Sequence, residues 1–258
     1  MDKKAAQGKR SPLKRKPMRN PGESIQREMG NLLEDEWVPS VFFATVIVLF
    51  AGYEWMRSIF ALPPQPLWMT ACALLAVGYA AYKFVTIRKR FKALKLGLEG
   101  EKTVGQYLEE LRSQGCRVFH DIEGNGFNID HVVVSPHGIF VIETKTRSKP
   151  RGDARVTFDG ERILVNGIEP ERNAVRQVRA AGDWLRDLLT ESTSRRFSIK
   201  CAVVFPGWFV EPSKGRSDVW VLEPKALPAF IANEPILLKT EDIALVSSRI
   251  ISHMQTVD

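Results

Sequence analysis

Cysteine is nearly missing from this chain. Its 258 residues hold three, Cys72, Cys116 and Cys201, far apart and odd in number. That excludes a disulfide framework and points to a reducing compartment. Histidine is almost as sparse: His120, His131, His137 and His253 show no ligand spacing, which argues against a zinc centre. No internal repeat occurs, and no helix-turn-helix or zinc-finger pattern, so nothing in the sequence is built to read bases. Residues 96–258 also lack a positive balance, summing to −2, although the whole chain is at +7. The excess lies elsewhere: residues 1–30 carry nine Lys/Arg against three Asp/Glu, and Arg88, Lys89, Arg90, Lys92 and Lys95 follow one another closely.

Those basic stretches flank two apolar runs, Trp37–Tyr53 and Leu67–Ile87. A bilayer span needs about 17–25 residues, so the first is short but sufficient and the second is comfortable. Neither has a polar face to offer water, which argues against a buried soluble hairpin. Trp37, Tyr53, Trp55, Trp68, Tyr79 and Tyr82 gather toward the run ends, where aromatic rings favour the interface. Pro63, Pro64 and Pro66 break the helix between the runs. With only Arg57 in the connection, the positive-inside rule predicts both termini in the cytoplasm and the Pro-rich turn outside. The organisation expected is a basic, largely disordered tail over 1–35, then two transmembrane helices and a basic juxtamembrane helix over 36–95. A mixed α/β domain follows over 96–258. The expected location is the cell (inner) membrane.

The chemistry concentrates in a hairpin. Ile129–Val134 and Ile139–Lys145 read as apolar strands around the turn Ser135-Pro136-His137-Gly138. Pairing Val134 with Ile139 and counting outward sets Asp130 opposite Glu143, with Lys145 on the face of Glu143. Facing carboxylates repel across a ladder. Two of them at the end of apolar strands call for a cation such as Mg²⁺ or Mn²⁺, which takes carboxylate oxygens and water. The competing reading is three solvated residues on an edge strand.

Asp130 followed by Glu143-Thr144-Lys145 resembles the Asp…Glu-x-Lys pattern of the PD-(D/E)xK nuclease superfamily. With Gly97-Leu98-Glu99-Gly100-Glu101 before it and Gln177 after it, the set is similar to the nuclease-related-domain (NERD) branch, over about residues 96 to 190. The resemblance implies a restriction-endonuclease-like core and metal-dependent phosphodiester hydrolysis, with DNA the expected substrate. It also implies the Thr144 carbonyl as a third metal ligand beside Asp130 and Glu143, and Lys145 as the group that orients water or stabilises phosphoryl charge. An acidic residue on the first helix would complete the set. Glu99 and Glu101 both qualify, and the family pattern favours Glu101, the residue directly after Gly100. Gln177 would support the site or contact the backbone of the nucleic acid. The plain alternatives are a helix-start carboxylate and an exposed helical glutamine.

Lys145, Arg147, Lys149, Arg151 and Arg155 follow the catalytic strand, and Arg176 and Arg179 lie near Gln177. In a domain of near-neutral balance this is the best candidate for gripping phosphates, although charge runs are also often just solvated loops. Two other functions remain open on sequence alone: a tethered nucleic-acid-binding module without turnover, and a membrane scaffold for protein partners.

Overall fold

Helices dominate the first half of the chain. The computed structural model describes residues 19–60, 66–149, 154–212 and 217–256. Helix α1 (Glu23–Asn31) runs through a π-helical segment, Leu32–Trp37, into α2 (Val38–Ile59). After the predicted Pro-rich turn, which lies outside the described residues, α3 runs unbroken from Pro66 to Glu110. Two helices, Glu23–Ile59 and Thr70–Gln114, are long and apolar enough to cross a membrane. Their large apolar side chains are exposed rather than packed into protein, Phe42, Leu49, Leu67, Trp68 and Leu75 among them.

Two boundaries differ from the sequence expectation. The tail over residues 1–35 is helical from Glu23 onward, and residues 1–18 lie outside the described residues. Ile25, Met29 and Leu32 recur at helical spacing, and Leu32 is buried, a pattern that the average polarity of the tail conceals. The domain boundary expected at residue 95 falls inside α3, which is continuous there.

Beyond α3 the chain is α/β. Strands β1 (Arg117–Glu123), β2 (Asn128–Ser135), β3 (Gly138–Thr144), β6 (Ile199–Val204) and β8 (Val219–Leu222) form a five-stranded sheet in the order β1-β2-β3-β6-β8. The first two pairings are antiparallel and the last two parallel. Strands β4 (Arg155–Phe158), β5 (Ile163–Val165) and β7 (Phe209–Val210) make a small second sheet. Helices α4 (Ala174–Thr193), α5 (Leu227–Ala232) and α6 (Thr240–Thr256) complete the domain.

Alternation along β3 assigns the two faces. Ile139 and Val141 join Val175, Val178 and Leu185 of α4 and Val246 and Ile250 of α6. Phe140 and Ile142 join Val104 and Leu108 of α3 and Leu227 and Ile231 of α5. The sheet is therefore covered on both sides, and β3 is buried along its whole length. Its hairpin with β2 is tighter than expected: Ser135 pairs with Gly138, so only Pro136 and His137 form the loop. Ser135 Oγ accepts from the His137 amide, and Gly138 takes φ 130°, open to glycine at little cost.

Asn173 caps α4, its side chain accepting from the Arg176 amide at 3.0 Å. Gly182 lets α4 lie close on β6, since a Cβ there would sit 2.6 Å from Cys201 Sγ. Gly182→Ala should thus reverse the usual preference for alanine in a helix, about 1 kcal/mol, and cost about 1–3 kcal/mol by overpacking. In a Cys201→Ala background the same change should be neutral or stabilising. Thermal unfolding of the four proteins measures the cycle.

Candidate active site

The site begins where the β2–β3 ladder ends. The register runs to His131↔Ile142, and its next step would pair Asp130 with Glu143, as the count predicts. The Asp130 carboxylate bends across that end instead and accepts from the Thr144 amide at 2.6 Å. Strict alternation fails at this point, because Ile129 and Val132 enter the same core, as do Phe119 and Ile122 on β1. Asp121, between those two, adopts φ 52°, an uncommon backbone for a residue with a Cβ. The sheet edge coils, and its polar side chains collect at the coil.

Helix α3 brings in the third carboxylate. Gly100 lies against Thr146: a Cβ at Gly100 would be 1.8 Å from Thr146 Oγ1 and 2.9 Å from its Cβ. Only glycine permits that approach, and the following residue, Glu101, is buried. Glu99 is 62% exposed and reaches only Lys95, at 4.0 Å. Of the two competing carboxylates, Glu101 is the one that joins Asp130 and Glu143.

Burial and mutual repulsion shape this group. Desolvation, with Asp121 and Glu143 nearby, pushes the Glu101 carboxyl up to about 8. Desolvation and the charges of Glu143 and Glu101 raise Asp130 well above the usual range, partly offset by the Thr144 amide. Desolvation also raises Glu143, and Lys145 opposes it. Lys145 Nζ donates to Glu143 Oε1 at 2.6 Å and to Gln177 Oε1 at 2.8 Å, so α4 holds the ammonium from its far side. Glu101, Asp130, Glu143, Lys145 and Gln177 thus come from four elements into one cluster, with Thr144 in the backbone between Glu143 and Lys145.

The expected phosphate-gripping residues are less concentrated. Lys145 and Arg147 line a cavity of about 610 Å³ with Arg172, but Glu169 and Glu171 line it too. Lys149 Nζ donates to the Gly207 carbonyl, and Arg176 is exposed on α4 outside that lining. Arg151 lies outside the described residues. Arg155 pairs with Glu211, and Arg179 grips both oxygens of Asp218, so these two are engaged within the fold.

Asp121 escaped the sequence reading. It is 2% exposed and accepts from the Asn128 side chain at 3.1 Å and the Ser24 amide at 2.7 Å. The count used for β2–β3, applied outward from the turn before Asn128, pairs Glu123 with Asn128 and brings Asp121 level with Asp130. Of the histidines, His120 and His131 are buried and hydrogen-bonded to each other through their Nδ1 atoms at 2.8 Å, and Glu109 meets His120 Nε2.

No group of three His, Cys, Asp or Glu side chains among the described residues is gathered closely enough to hold a metal alone. A hard cation such as Mg²⁺ needs only one or two carboxylates with waters and a carbonyl. The donor chemistry fits that requirement: oxygen ligands only, in carboxylates whose repulsion a cation would relieve.

Residues 96–206 match a family model described as "Nuclease-related domain". No curated protein matches the chain. A solved structure, SfsA of Pyrococcus furiosus in complex with Ca²⁺, is similar at 14% identity, covering 60% of this chain and 53% of that one. The chain therefore spans about half the length of that protein, and at a TM-score of 0.26 the likeness has no weight for fold or site.

The raised Glu101 carboxyl has a measurable consequence. Its folded form holds the proton more tightly than an unfolded chain would, near 4.5, so ionisation opposes folding. The penalty is absent below pH 4.5, grows through the window up to about 8, and is complete above it. Glu101→Gln should therefore raise the melting temperature of the metal-free chain at pH 8.5 and leave it nearly unchanged at pH 4.5. Thermal scans of both proteins in chelator across that range provide the check.

Proposed function

Because residues 96–206 are a nuclease-related domain, we propose that this chain is a metal-dependent nuclease, with DNA as its substrate, held at the cytoplasmic face of the cell membrane by two spans. The observation that supports this most is the group of buried Glu101 and Glu143 and half-buried Asp130, with Lys145 fixed between Glu143 and Gln177. Such a set serves phosphodiester hydrolysis, which needs a cation site, a way to position water, and positive charge beside the phosphoryl group.

Asp130, Glu143 and the Thr144 carbonyl would hold the cation, Mg²⁺ or Mn²⁺, with Glu101 completing the set. When bound, the metal supplies Lewis-acid polarisation of the phosphoryl oxygen and lowers the pKa of water. Glu143 would then be shared between the cation and Lys145. Gln177 then keeps the ammonium in place, where it can orient the attacking water and stabilise charge gathering on the phosphoryl oxygens. Arg147, Lys149, Arg151 and Arg176 are the proposed contacts to the nucleic-acid backbone.

Cleavage of linear, circular and single-stranded DNA by the full chain, with and without Mg²⁺, tests this reading. Asp130→Ala and Glu143→Ala should abolish cleavage and spare DNA affinity. Lys145→Ala should stop turnover but preserve metal binding. Neutralising Arg147 and Lys149 together should weaken binding and reduce its salt slope by up to about two. Cleavage by Glu143→Ala at the wild-type rate sinks the assignment, and binding without any cleavage by the wild type turns the reading to a tethered binding module.

Membrane placement has its own measurement. Activity reporters fused at either terminus should register cytoplasm, and one inserted at Gln65 should register the exterior. A C-terminal reporter outside the cell would put the domain out of reach of genomic DNA and overturn the substrate.

A further inference from the structure

Part of the acidic cluster is held by a segment far away in sequence and outside the matched family range. Arg19–Asn31 precedes the first apolar helix, yet it packs on α3 and β1 beside Glu101. Pro21 sits where a side chain at Gly105 would be, 2.5 Å from the position of its Cβ. A Cβ at Gly22 would lie 2.4 Å from Leu98 and 3.4 Å from Glu101 Oε2, so the strap's backbone touches the buried carboxylate itself. Arg19 meets Glu123 at 2.6 Å and Asp121 at 3.8 Å, and Arg27 meets Glu123 at 3.5 Å. On its other side Glu28 pairs with Arg90 of α3 at 2.7 Å.

The start of α1 explains the arrangement. Gly22 occupies the cap position in a left-handed conformation and has no side chain to satisfy the first-turn amides. The Ser24 amide finds the Asp121 carboxylate instead, at 2.7 Å. The positive end of the α1 dipole therefore points at the acidic cluster, where a carboxylate is favoured. Asp121 needs such a partner, being buried in an uncommon backbone conformation.

We propose that residues 19–31 are a positioning strap: the N-terminus of α1 fixes Asp121 and the Glu101-bearing turn of α3, and thereby sets the geometry of the catalytic carboxylates. Calling those carboxylates catalytic rests on the nuclease reading above, whereas the strap's hold on them does not. The functional unit is then larger than residues 96–258, and the segments on both sides of the apolar hairpin close on one another.

Ser24→Pro isolates the contact. Proline is tolerated in a first helical turn, and it replaces the amide that Asp121 accepts with a ring carbon that cannot donate. The experiment uses the full chain in detergent and follows amide hydrogen exchange, melting temperature, and kcat and KM on DNA with Mg²⁺. Ser24→Pro should speed exchange at least tenfold in peptides covering 98–105 and 119–123 of the metal-free protein, with the β3–β6 peptides unchanged. It should lower kcat at least tenfold at unchanged KM, and Ser24→Ala, which keeps the amide, should restore both. Gly22→Ala, which pushes the strap off Leu98 and forces an L side chain to φ 73°, should behave like Ser24→Pro. Unaltered exchange around Glu101 and Asp121 in both variants overturns the proposal, as does faster exchange with unaltered kcat in an active wild type. A wild type without cleavage fails the nuclease reading alone, and exchange then decides whether the strap holds the cluster.

Discussion

Repulsion among Glu101, Asp130 and Glu143 is the constraint around which the rest of this domain is arranged. Carboxylates taken out of water lose hydration and interact through a lower effective dielectric, so their charges oppose one another more strongly than on a surface. The fold answers with directed donors. The Thr144 amide meets Asp130, and the Lys145 ammonium meets Glu143. The strap faces Glu101 and meets Asp121. Desolvation still leads for each of the three, and each stays above its ordinary titration range. The group is left short of positive charge in this way, which is what the proposed cation would supply. Stability and function pull against each other here, as strained functional sites commonly do.

Helix α3 ties that site to the apolar half of the chain. One unbroken helix contains the second apolar run, the basic stretch Arg88–Lys95 and Glu101. At 1.5 Å per residue, Glu101 lies about 20 Å along the helix from Ile87. In the proposed membrane arrangement this sets the height of the cluster above the bilayer, with no hinge between anchor and site. Arg90 and Lys83 pair with Glu36, at 3.4 and 3.7 Å, so the first helix braces the second near the same level. A nucleic acid would have to approach the membrane surface to be cut.

Much of the local structure was legible in the sequence because its signals are local. The apolar strands Ile129–Val134 and Ile139–Lys145 return within a residue at each end as β2 and β3. The β2–β3 register followed from one turn and one pairing. What stayed hidden depends on contacts between distant segments. The strap helix has too few apolar residues to stand out from its basic surroundings, and it finds its partners on α3 and β1.

The same distinction separates the site residues. Glu-x-Lys is read by alternation alone, whereas only the family pattern favoured Glu101 over Glu99, and the packing of α3 is what separates them in the fold. Both glutamates share a helix and a dipole, so sequence chemistry treats them alike. Their surroundings decide between them: Glu101 is buried beside Gly22, while Glu99 is exposed and reaches only Lys95. Asp121 is a further case: an aspartate in an apolar strand signals little until the neighbouring strand sets Asp130 level with it. The phosphate-gripping run shows the converse. Arg155 and Arg179 belong to the basic pattern by sequence, yet Glu211 and Asp218 engage them inside the fold. A local charge count overstates a binding surface wherever the fold supplies its own counterions, and the cavity beside Lys145 is lined by Glu169 and Glu171 as well as by Arg147 and Arg172.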